Sequence, residues 1–176
     1  MGHVGSRNSF EVYEKHIVKH YGDLIDPELI NRETWNYMLP YPEDAFESEK
    51  TFYQKFAQLG LNLTPKLLKV EPMCLTFERY NQGDLYTLHR KHQLITTQEL
   101  KEILLKEIQP MTHQLDQMHV VHGDFALRNI VCDLDTTTKT RRFAFIDFEL
   151  SFIDEDNDFL EVNMEDLSQI IEDLPT

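Results

Sequence analysis

His122-Gly123-Asp124-Phe125-Ala126-Leu127-Arg128-Asn129 is followed, one apolar hairpin later, by Ile146-Asp147-Phe148-Glu149. Ile130 to Leu134 and Phe143 to Ile146 are strand-like, and the run Asp135 to Arg142 between them has turn and solvent chemistry. Pairing the two runs returns the chain to the edge where it started, so Asn129 and Asp147 become neighbours. An amide and a carboxylate that converge in this way, with Asp124 just ahead of the amide, suit a hard cation bound through oxygen and a proton acceptor beside it. The bland alternative is a polar turn before an ordinary hairpin, with Asp147 merely ending a strand.

This pattern resembles the protein-kinase-like superfamily, whose catalytic loop reads His-Arg-Asp, four residues and Asn, with Asp-Phe-Gly after the next hairpin. Gly123 stands where ordinary protein kinases have Arg, and Glu149 where they have Gly. His-Gly-Asp is similar to the RIO kinases and aminoglycoside phosphotransferases, and Asp-Phe-Glu to those phosphotransferases and the choline kinases. The resemblance implies an α+β, two-lobed fold within one domain. Residues 1–80 would form a lobe of a small antiparallel sheet and a helix, and residues 81–176 a reduced, mainly helical lobe. It also implies ATP and Mg2+ as cofactors, with Asn129 and Asp147 holding the metal and Asp124 taking the proton of the accepting hydroxyl. Asp-Phe-Ala-Leu-Arg-Asn is similar to the tyrosine-kinase loop Asp-Leu-Ala-Ala-Arg-Asn, which places Arg128 near the transferring phosphoryl group or against Asp124. A salt bridge to a surface acid is the local alternative for Arg128.

Composition limits the choices. A chain of 176 residues is long enough to bury a core but short for two lobes, which implies a minimal or shortened version of the fold. No apolar run approaches the roughly 20 residues of a membrane span, and Met1 to Arg7 lacks the apolar centre of a signal peptide. Cys74 and Cys132 lie in separate apolar strands, which favours buried, reduced thiols and a cytoplasmic setting. The formal net charge of -14 argues against direct nucleic-acid binding. Acids crowd Asp154 to Asp173. A solvated face is the simple reading, and attraction of a basic protein partner or a cationic acceptor is the sharper one.

In chain order, His16 to Tyr21 is a strand candidate with Ile17, Lys19 and Tyr21 on one face. Lys19 suits an edge gatekeeper, or, by the resemblance, the phosphate-holding lysine of a Val-Ala-Ile-Lys strand. Gly5 is the only glycine available for a phosphate-covering loop, and no first strand is expected before it. A helix is expected around Glu28 to Tyr37, carrying Trp35, and Leu39-Pro-Tyr-Pro42 closes it. A second helix runs from Glu43 to Leu59, with Phe46, Tyr53 and Phe56 on one stripe and Gly60 as a stop. Glu49 lies on that stripe and needs a partner there; the resemblance supplies Lys19. Strands are expected at Lys66 to Val70 and Met73 to Phe77. The segment Glu78 to Leu85 resembles the interlobe hinge that reads the nucleotide, which brings Glu78, Tyr80 and Asp84 to the cofactor. Asp84 suits a local helix cap equally well. Glu99 to His119 forms the clearest helix, bent at Pro110, and Met164 to Leu174 a short acidic one.

The leading function is transfer of the ATP γ-phosphoryl group to a hydroxyl of a protein or a cationic small molecule. A nucleotide-binding pseudokinase or regulatory scaffold is the alternative.

Overall fold

Period-two alternation builds the first sheet. The computed structural model describes residues 8–22, 41–134 and 140–175. Strands β1 (Ser9–Val12), β2 (His16–His20), β3 (Leu67–Glu71) and β4 (Cys74–Glu78) form an antiparallel sheet in the order β1-β2-β4-β3. The register sets Lys19 opposite Phe10 on one side and Leu75 on the other. Strand β1 was not expected. Its signal is the alternation of Phe10 and Val12 with Ser9 and Glu11, masked because both apolar side chains remain largely exposed. Gly5, the helix expected at Glu28 to Tyr37 and Trp35 lie outside the described residues.

Helix α1 (Pro42–Gln58) packs on this sheet through Ala45, Phe46, Phe52, Tyr53 and Phe56, and carries the buried Glu49 on the same stripe. Pro42 opens α1 instead of closing the segment before it. The first helical turn has no use for its N–H, so proline is tolerated there, and Glu43 and Asp44 meet the positive end of the helix. Gly60 takes a φ of +68° just past the end.

The second half begins with β5 (Gly83–Asp84), followed by α2 (Thr97–Ile103) and α3 (Gln109–Gln117). Thr96 and Glu99 close α2 with a capping box. The single helix expected from Glu99 to His119 is divided by a π-helical turn at Leu104–Ile108. Pro110 cannot donate to the helical ladder, and the turn before it widens so that the Gln109 N–H reaches the Leu104 carbonyl. Leu100, Ile103, Leu104, Ile108 and Leu115 nonetheless stay on one buried face.

Strands β6 (Val120–Val121), β7 (Ile130–Leu134), β8 (Arg141–Phe145) and β9 (Phe152–Ile153) and helix α4 (Val162–Glu172) complete the chain. The expected hairpin is present as β7 and β8, in a three-stranded sheet ordered β5-β7-β8. Arg141 and Arg142 belong to β8 and not to the turn. Strand β9 pairs with β6, and α4 docks through Leu167 with Leu174 beyond its end. The result is a mixed α+β protein-kinase-like fold. Cys74 and Cys132 are free, buried thiols, and burial pushes Cys132 up to about 11.

Phe148 joins the halves. It is fully buried, with ring centroids 5.7 Å from Phe52, 5.9 Å from Tyr53 and 5.4 Å from Phe56. Phe148→Ala should therefore lower the free energy of unfolding by about 3–5 kcal/mol. Urea denaturation checks this, and a loss below about 1 kcal/mol would show that α1 does not depend on this ring.

Candidate active site

The β7–β8 hairpin places the two metal-binding candidates at its open end. Ile130 pairs with Phe145, and the Ile146 N–H donates to the Asn129 carbonyl at 2.9 Å, so Asn129 and Asp147 flank the same edge. Asp147 has φ +69° and ψ +59°, a left-handed conformation uncommon outside glycine. The backbone there is over-determined on both sides. His122, fully buried, contacts the Ile146 carbonyl through Nε2 at 3.0 Å and lays its ring 4.7 Å from Phe148. Ser48 of α1 donates to the Phe148 carbonyl at 2.8 Å. Burial pushes the His122 imidazole below its ordinary pKa, so it supports the loop as a neutral ring.

The loop itself is held from below. Asn163 of α4 accepts the His122 N–H at 2.9 Å and donates to the Val120 carbonyl at 2.7 Å and to Asp116 at 2.5 Å. The Ser151 hydroxyl donates to the His122 carbonyl at 2.7 Å. Gly123 has φ +77°, and a Cβ there would lie 2.4 Å from the Leu150 carbonyl oxygen. That close approach is the physical reason no arginine stands at this position.

Asp124 receives both its expected neighbours. Arg128 donates to Oδ1, and the Asn129 side-chain amide donates at 2.8 Å to Oδ2 and at 2.8 Å to the Asp124 carbonyl. Of the readings for Arg128, the contact with Asp124 is the one observed. With its NH2 group so engaged, Asn129 has its amide oxygen as the atom suited to a hard cation.

Across the cavity, Lys19 of β2 is only 5% exposed and meets Glu49 at 2.6 Å. It also meets Glu149 at 2.7 Å and Asp147 at 3.0 Å. Burial works against the Lys19 charge, but Glu49, Asp147 and Glu149 outweigh it and raise the pKa, so the ammonium persists. Burial likewise favours a neutral Asp147, and Lys19 reverses this and holds the carboxyl below its usual range. Burial pushes Glu49 up while Lys19 and the Tyr21 hydroxyl, donating at 2.5 Å, pull it back. A contact of 2.6 Å is that of a charged pair.

A cavity of about 420 Å³ lies between the two groups, lined by Phe10, Val12, Lys19, Tyr80, Asn129 and Asp147 among others. Its size is that of a small-molecule or cofactor site. Glu78 and Asp84 also line it. The Glu78 carboxylate pairs with Arg142 at 2.9 Å, and the Arg142 guanidinium stacks 5.0 Å from the centre of the Tyr80 ring. Asp84 accepts the Thr87 N–H at 2.8 Å, the local cap weighed from sequence, while still facing the cavity. Among the described residues, all nine expected site residues line the cavity or contact a residue that does. Glu149, Tyr21 and Asn163, which contact Lys19, Glu49 and the His122 loop respectively, were not expected there. For Glu149 a signal existed, an acid two positions after Asp147; Asn163 gives none, since one polar residue in an acidic helix looks solvated.

A sequence model described as the lipopolysaccharide kinase (Kdo/WaaP) family matches residues 8–169, nearly the whole chain. The chain belongs to that family. Its members are atypical kinases within the protein-kinase-like superfamily, so the chain is an ATP-dependent kinase. No curated protein matches it. Among the described residues no helix is long and apolar enough to cross a membrane.

Lys19→Met tests the buried charge balance. Removing one partner of a buried ion pair costs about 3–5 kcal/mol. Glu49 then folds comfortably only with its proton bound, so the variant is most stable in acid and loses stability as pH rises past about 4.3, the ordinary carboxyl value. Denaturation at several pH values checks both. A loss that does not vary with pH would mean that Glu49 finds another counter-charge.

Proposed function

We propose that this kinase transfers the γ-phosphoryl group of ATP to a hydroxyl of a small, sugar-like acceptor. The observation that supports it is the placement of Lys19–Glu49, Asp147, Asn129 and Asp124 around one cavity, each offering the atom its role needs. Nucleotide would lie under β1 and β2, with Glu78, Tyr80 and Asp84 at its adenosine end. Lys19 would hold phosphate oxygens. Asp147 and the Asn129 amide oxygen fit a magnesium ion, which when bound would neutralise charge on the phosphates. Asp124 would orient the acceptor hydroxyl and take its proton as the hydroxyl oxygen bonds to the γ-phosphorus and the bond to the β-phosphate oxygen breaks. Arg128, which donates to Asp124 Oδ1, would hold that carboxylate in place. The division into lobes near residue 80 is part of the same reading.

The acceptor side adjoins a second cleft of about 820 Å³ lined by Tyr86, Arg90, Lys91, Phe125, Arg128 and Asp147 among others. Its lining balances Arg90, Lys91 and Arg128 against Asp84, Asp147 and Asp173, and with its flat rings suits a sugar, in keeping with the lipopolysaccharide named by the family; the adjacent Arg90 and Lys91 would take an anionic group on it. Family membership favours a small-molecule hydroxyl over a protein one.

Labelled ATP should be consumed with acidic sugars or a lipopolysaccharide core in preference to aminoglycosides, amino-alcohols or proteins. Asp124→Asn should leave ATP binding nearly intact and lower turnover by roughly 10² to 10⁴-fold. Asp147→Ala should abolish turnover and the magnesium dependence of binding together. Equal turnover by wild type and Asp124→Asn would contradict the role given to Asp124.

A further inference from the structure

The Lys19 ammonium has three N–H donors, and three carboxylates surround it: Glu49 at 2.6 Å, Glu149 at 2.7 Å and Asp147 at 3.0 Å. One oxygen from each lies within 4.8 Å of one oxygen from both others. Nothing remains on the nitrogen for a phosphate oxygen, so one carboxylate has to yield when nucleotide enters. Glu49 is the least able to do so. It is fully buried and also holds the Tyr21 hydroxyl, so its release would strand a charge in the core. Asp147, with its side chain 40% exposed, lies beside Asn129 at the metal position. Glu149 is left. Its side chain is 12% exposed, it comes from the turn that follows Asp147, and its outer contact is the side-chain amide of Asn8, at the threshold of β1. Asn8 in turn accepts the Gly22 N–H at 3.2 Å.

Resting on the phosphotransfer reading, we propose that Glu149 is a positioning residue that occupies the phosphate position on Lys19 and makes nucleotide binding depend on metal. Three carboxylates against one ammonium leave the site negative, so bare ATP is repelled. Metal-bound ATP brings its own positive charge, displaces the Glu149 carboxylate from Lys19, and shifts its contact with Asn8 at the start of β1. Glycine at this position, as in ordinary protein kinases, cannot exert this control.

Calorimetric titration of ATP in EDTA and in Mg2+ tests the proposal on wild type, Glu149→Gln and Asn8→Ala. Glu149→Gln keeps the shape and removes the charge. It should tighten metal-free ATP binding by about tenfold or more, as expected for one charge a few ångströms from a phosphate, and tighten Mg2+-ATP binding much less. Asn8→Ala leaves the charge but loosens its anchor, and should shift the same ratio in the same direction by a smaller factor. Metal-free binding that is unchanged within about twofold, weaker, or undetectable in both variants overturns the role of Glu149 while Mg2+-ATP binding by wild type leaves the phosphotransfer reading standing. Wild type that binds no Mg2+-ATP overturns both.

Discussion

A single buried ammonium organises this molecule. Lys19 sits in a strand whose neighbours are apolar, and a charge there is tolerated only if opposite charges are delivered to it from elsewhere in the chain. Glu49 comes from α1, Asp147 and Glu149 from the end of the β7–β8 hairpin. Satisfying one cation thus fixes the distance between the first sheet, the helix on it and the catalytic hairpin. The same requirement puts the group proposed to hold phosphate, the group proposed to hold metal and the floor of the cavity in register.

Phe148 does by packing what Lys19 does by charge. It is flanked in sequence by Asp147 and Glu149, and its ring fills the space among Phe52, Tyr53 and Phe56 of α1. The two acids are therefore held out toward the cavity by the burial of the residue between them. His122 stacks on the same ring and fixes the Ile146 carbonyl just ahead. Strain at Asp147 persists because contacts on both sides leave that residue no other conformation.

Much of this was readable in the sequence, for identifiable reasons. The hairpin and Asn129 beside Asp147 follow from local alternation; helical spacing and the cost of an unpaired carboxylate show that Glu49 needs a partner, and the resemblance to kinases names that partner as Lys19. Strand β1 escaped because Phe10 and Val12 line an open cavity, so the burial that usually marks a strand is weak. The division of the long helix at Leu104–Ile108 was only half legible: Pro110 announces a lost hydrogen bond, but not that a wider turn absorbs it. Glu149 on Lys19 and Asn163 beneath the catalytic loop depend on contacts between distant segments, and no local pattern encodes those. The net charge carries little about the acceptor, because a total over the chain says nothing of which charged groups face one cleft.

The most direct measurement of the account is a crystal structure with magnesium and a non-hydrolysable ATP analogue. It should show a phosphate oxygen within about 4 Å of the Lys19 ammonium, Glu49 still paired with that ammonium, and the metal bound by Asp147 and the Asn129 amide oxygen. A nucleotide seated elsewhere, or phosphates held with Lys19 remote from them, would contradict the claim that the buried lysine is where fold and phosphotransfer meet.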